Sequence, residues 1–128
     1  MIVLDHNITR EQAELLIRWN IRFLRIGVEI GLPSWDDEQE ILRYLHRSKH
    51  ITFFTRDSDF FRFRLCHPNY CLAIVDMAED ETGSAIRRFL RHPLFKTKVD
   101  RCGKVIKLLP QQLIWWEMGK RGRKQLIW

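Results

Sequence analysis

"ITFFTRDSDF", residues 51–60, decides how this chain is read. Its first half is β-branched and aromatic, which suits a buried strand. Its second half sets Asp57 and Asp59 directly after that strand, with Phe60 and Phe61 pulling the backbone back toward the core. Two readings follow: a solvated turn, or an acidic pocket able to hold a cation. In a parallel α/β sheet, ligands bind beyond the carboxyl ends of the strands. The choice therefore depends on whether the rest of the chain alternates strands with helices.

Working outward, "MIVLD" (1–5) reads as a buried strand ending in Asp5. Thr9 with Gln12 three residues on is a capping-box signal, and Ala13, Leu16, Ile17 and Asn20 give the following helix a sheet-facing side. "IRFLRIG" (21–27) alternates apolar and basic residues as a half-exposed strand does. "PSWDDEQEILRYLHRSKH" (33–50) predicts a helix with Ser34 as a cap candidate, acids in the first turn and Ile41, Leu42 and Leu45 facing inward. "YCLAIVDM" (70–77) is another buried strand, and "ETGSAIRRFLRH" (81–92) is a helix burying Ile86, Phe89 and Leu90. "KVIKLLP", "QLIWWEM" and "KQLIW" are late strands. The alternation predicts an α/β layered domain with a largely parallel sheet.

The chain has 128 residues, which argues for one domain over 1–128, with a basic, tryptophan-containing segment at about 112–128. No apolar run approaches the roughly 20 residues needed to cross a bilayer. The first ten residues lack the basic leader of a secretory signal, so a cytoplasmic protein is expected and the Asn7-Ile8-Thr9 sequon is read as accidental. Three cysteines without C-x-x-C spacing indicate neither a disulfide framework nor a zinc site. His46, His50, His67 and His92 show no ligand spacing and read as surface or structural. The net charge of +6 favours a polyanionic partner over a neutral one. It is concentrated in "RRFLRH" (87–92) and in "KRGRK", where Lys120, Arg121, Arg123 and Lys124 are candidate nucleic-acid contacts. Trp115, Trp116 and Trp128 could stack on unpaired bases beside that patch, or serve the core or an oligomer contact.

Three acidic groups stand at strand ends or helix starts: Asp5; Asp36, Asp37 and Glu38; Asp57 and Asp59. Two unit charges about 4 Å apart repel by roughly 4 kcal/mol at an effective dielectric of 20. A domain of about 5–15 kcal/mol total stability could not gather four of them unaided. If the acids converge, some are protonated or a divalent cation lies among them. Oxygen-only ligands suit Mg²⁺ or Mn²⁺, and with basic residues to hold a phosphate backbone the matching chemistry is phosphodiester hydrolysis. A phosphoacceptor receiver domain is the rival α/β reading. "VLDHN" lacks the adjacent acid pair it needs, and Asp57 is followed by a second acid it does not require.

With these residues in view, the chain resembles the PIN-like families, most nearly the group described as DUF5615 or Mut7-C-like. The likeness is carried by "VLDHN" (3–7), "DDEQEIL" (36–42) and "TRDSDF" (55–60), in that order and at matching separations over about the first half of the chain. It implies a three-layer PIN-like fold with a central mostly parallel sheet, and a Mg²⁺- or Mn²⁺-dependent ribonuclease, the toxin of a toxin–antitoxin pair. Asp5, Asp57 and Asp59 match the family acids, and either Asp37 or Glu38 the helix acid. Asn7 matches an orienting asparagine. His6 stands where the family has glutamate, and strand alternation is expected to point it away from the site. Arg56 would meet a phosphate or pair with Asp59 or Glu38. The implied partners are RNA and an antitoxin protein; a homodimer is a separate expectation, and no membrane partner is expected. The rival from another class is a nucleic-acid- or partner-binding module that keeps the fold without turnover.

Overall fold

The structure is a computed structural model describing the backbone of all 128 residues and every side chain except those of Asp37 and Glu38. Seven strands form one sheet: β1 (Ile2–Leu4), β2 (Leu24–Arg25), β3 (Ile51–Thr55), β4 (Tyr70–Val75), β5 (Lys104–Leu108), β6 (Gln112–Glu117) and β7 (Lys124–Ile127). Their order is β2-β1-β3-β4-β5-β6-β7. The pairs from β2 through β5 are parallel, whereas β5–β6 and β6–β7 are antiparallel. The parallel half is built from runs buried along their whole length, as a sheet covered on both faces requires.

Alternation assigns each side chain to a face. Leu4, Phe54, Cys71, Ala73 and Ile106 point into a core made with helix α1 (Arg10–Arg18) and helix α3 (Thr82–Arg91). Val3, Phe53, Leu72, Ile74 and Val105 point into a second core, closed by Ile41 and by Leu42 and Leu45 of helix α2 (Leu42–Arg47). The chain is thus an α/β protein with a mostly parallel sheet between helices. Burial pushes the Cys71 thiol up to about 12, which keeps it neutral inside the first core. Among the described residues, no helix is long and apolar enough to cross a membrane.

Several sequence expectations shift. Thr9 caps α1 by accepting from the Gln12 N–H at 3.4 Å, but Gln12 does not return the favour. Its Oε1 accepts from the Gly83 N–H at 2.9 Å, tying α1 to the start of α3. Ile17 lies outside the core at 61% exposure, because the face turned to the sheet is Ala13 and Leu16. The expected strand over 21–27 shrinks to the two residues of β2, since the chain then turns through Gly27 at φ 85°. The cap of the acidic helix start is Asp36 rather than Ser34: its carboxylate accepts from the Gln39 N–H at 3.1 Å, and the segment Asp37–Ile41 that follows is π-helical. A short helix α4 (Lys98–Arg101), which the sequence did not announce, carries the buried Arg101. That guanidinium has no carboxylate partner among the described residues. It donates instead to Thr52 Oγ1 (2.8 Å) and to the Phe95 and Lys96 carbonyls, pinning the 92–97 loop to β3.

Candidate functional site

At the carboxyl rim, Asp5 follows β1 and its N–H bonds to the Phe54 carbonyl, so it stands opposite Thr55 at the end of β3. Both residues are fully buried. The Thr55 hydroxyl is the hub of the rim: it donates to Asp5 Oδ2 at 2.7 Å and accepts from Asn7 Nδ2 and from the Asp57 N–H, each at 3.1 Å. Asn7 closes the ring by accepting the Arg56 N–H on Oδ1 at 3.0 Å. One threonine therefore fixes the first-strand acid, the asparagine and the backbone of Asp57.

His6 corrects an expectation. Strand geometry stops at Leu4, so alternation does not extend to position 6, and the imidazole folds back onto Asp5. Its Nδ1 lies 2.5 Å from Asp5 Oδ1, which also accepts the His6 N–H at 2.8 Å. A carboxylate offers about four acceptor positions; three are engaged here.

Asp57 is half-buried and caps the following turn by accepting the Asp59 N–H at 2.9 Å. Asp59 is exposed and faces a different hollow, of about 310 Å³, shared with Asp36, Gln39 and Arg62. The structure thus joins Asp5 to Asp57 through one hydroxyl and sets Asp59 beside Asp36. The expected helix acid, Asp37 or Glu38, lies outside the described residues. Among the described residues no three His, Cys, Asp or Glu side chains are gathered so as to hold a metal. The donor set fits Mg²⁺ or Mn²⁺ in kind, being oxygen only, with one acceptor position of Asp5 and one oxygen of Asp57 left over. Arg56 does not pair with Asp59; its Nη2 donates to the Met77 carbonyl at 3.2 Å.

Sequence reasoning passed over Asp76. It follows β4 as Asp5 follows β1, and Asp57 and Asp76 each stand two residues past the Thr55–Ile74 pair. The rule that singled out Asp5, an acid closing a buried strand, would have found it. Its carboxylate lies 3.9 Å from Lys107 Nζ, whose ammonium also sits 4.6 Å from the Phe61 ring centre.

The basic tail is elsewhere. β6 runs away from the acid rim, so the turn holding Lys120, Arg121 and Arg123, and Lys124 at the start of β7, lies at the opposite edge of the sheet. Lys120 is bound to Glu117 at 2.7 Å, which holds the Glu117 carboxyl below its ordinary range. The tryptophans separate too. Trp115 belongs to the first core, Trp116 packs on Phe61 with ring centres 4.4 Å apart, and Trp128 donates to the Leu109 carbonyl at 2.8 Å. Compared with family models, with curated proteins and with solved structures, the chain matches none.

Proposed function

We propose that the chain is a PIN-like, divalent-metal-dependent ribonuclease whose centre is the rim of Asp5, Asn7, Thr55 and Asp57. The observation that carries this reading is the Thr55 hub, which spends a buried hydroxyl on orienting an acid, an amide and a second acid-bearing turn at adjacent strand ends. A buried carboxylate is tolerated only when it is hydrogen-bonded, and the rim commits three contacts to Asp5 where an apolar residue would close a strand with none. Asp5, Asp57 and one of Asp37 or Glu38 would hold Mg²⁺ or Mn²⁺. Bound there, such an ion supplies an acidified water and stabilises charge on a phosphodiester. The chain's own residues do the positioning: Thr55 holds the Asp5 carboxylate, and Arg56 through its N–H locks the Asn7 amide. The toxin role and an antitoxin partner rest on the family resemblance alone.

One observation favours the second reading, a binding module without turnover: Asp5 is fully enclosed and His6 occupies its Oδ1. RNA cleavage in Mg²⁺ and in Mn²⁺ separates the two. Wild type should cleave, and Asp5→Asn and Asp57→Asn should each lose about a hundredfold or more. Retained cleavage in both variants removes the site. Tight RNA binding by a wild type that does not cleave establishes the module.

A further inference from the structure

The "RRFLRH" patch has no part in the rim just described. It lies on the α1–α3 face, whereas Asp5 is bonded to Thr55, which shares its β3 face with Phe53 of the α2-side core. There Trp19, Ser84, Arg87, Arg88, Arg91 and His92 line a hollow of about 470 Å³ with no acidic residue in its wall. Two of the guanidiniums are held by aromatic rings rather than by carboxylates. Arg87 lies 4.6 Å from the Trp19 ring centre and Arg88 lies 4.3 Å from that of Trp128. Such stacking fixes a cation in place without neutralising it. Among the described residues none of Arg87, Arg88 and Arg91 has an ion-pair partner, and the Arg87 Nε is buried with no acceptor. Asp80 and Glu81 line a smaller neighbouring hollow that Arg88 shares, so Arg87 and Arg91 are the undivided pair.

These two are four residues apart on α3 and so stand side by side, a like-charge arrangement that weakens a helix unless something anionic lies between. His92 adds a donor. Its Nδ1 accepts the Leu94 N–H at 3.2 Å, which leaves the proton of the neutral ring on Nε2. Burial and the neighbouring Arg88 lower the pKa of His92, as a positive surrounding demands.

We propose that this hollow is a binding site for a compact phosphate group, a di- or triphosphate, held by Arg87, Arg91 and His92 with Arg88 at its margin. Guanidinium donors match phosphate oxygens in pairs, and several cations around one hollow suit charge concentrated in one ligand. A nucleic-acid strand fits less well, since it spreads one charge per nucleotide and the Trp19 and Trp128 rings are already covered by arginines.

The site is independent of the nuclease reading and needs no metal, so the test uses the full chain in EDTA. Inorganic pyrophosphate should bind wild type by calorimetry, more tightly than sulfate, and at least tenfold more weakly in Arg91→Ala and in Arg87→Gln. Arg91 is exposed, so Arg91→Ala keeps the wild-type melting midpoint and carries the test even if Arg87→Gln fails to fold. No pyrophosphate binding by wild type, or an affinity unchanged in Arg91→Ala, overturns the proposal. So does a 5′-hydroxyl RNA oligonucleotide that matches pyrophosphate in affinity and in dependence on Arg91.

Discussion

Replacing the Thr55 hydroxyl by a methyl, as Thr55→Val does with little change of shape, strips a donor from Asp5 and an acceptor from both Asn7 and the Asp57 N–H. Leaving a buried polar group unpaired costs about 1–3 kcal/mol, and a carboxylate lies at the upper end. Thr55→Val should therefore lose about 2 kcal/mol in urea unfolding, with the m-value unchanged. An unaltered midpoint would mean that water replaces the hydroxyl and that the hub is not rigid. At this scale the sequence was legible where a side chain's burial followed from its strand: Asp5 was recognised because it closes an apolar run. His6 escapes strand alternation because β1 ends two residues before it, which frees the imidazole to fold onto Asp5. The partition of Asp57 from Asp59 was hidden as well. It depends on a single tight turn, capped by one of the two acids, that sends the other to a separate hollow.

α1 and α3 meet at Gly83, opposite Gln12. A Cβ there would come 3.2 Å from both the Gln12 carbonyl oxygen and the Gln12 Oε1, the latter being the atom that accepts the Gly83 N–H. Alanine gains about 1 kcal/mol of helix propensity in a helix interior, less in a first turn, while overpacking costs about 1–3 kcal/mol. The second term wins, and Gly83→Ala should lower the thermal midpoint by several degrees. A rise would mean that the two helices separate freely. Elements with one dominant signal were readable: β3 and β4 are apolar throughout, and Ile86 and Phe89 mark the inner face of α3. Those settled by contacts were not. β2 is limited to Leu24 and Arg25 because the chain bends away at Gly27 just after the Ile26 N–H has bonded to Leu4, and α4 exists where Arg101 finds acceptors on the 92–97 loop and on β3.

For the molecule as a whole, net charge and its placement part company. The six residues of β6 span roughly 20 Å at about 3.3 Å each, and that span separates the 118–124 turn from the acid rim. Charge reversal at Arg121, Arg123 and Lys124 should flatten the salt dependence of RNA binding by up to about 2 in log–log slope, yet leave the cleavage rate at saturating RNA within twofold. A large fall in that rate would bring the tail to the acids and contradict the sheet order. The sequence showed the charge excess plainly. Its position could not be read there, because it depends on β6 reversing direction.

The strand order also has a consequence for synthesis. β1 pairs directly with β3, and every partner of the Thr55 hub exists once residue 57 has left the ribosome, before β4 to β7 are made. β6, β7 and the basic turn between them are translated after those residues and add to the β5 side of the sheet. A nascent chain can therefore assemble its acidic rim before it acquires most of the positive charge of its tail, in the order that a vectorially built sheet allows.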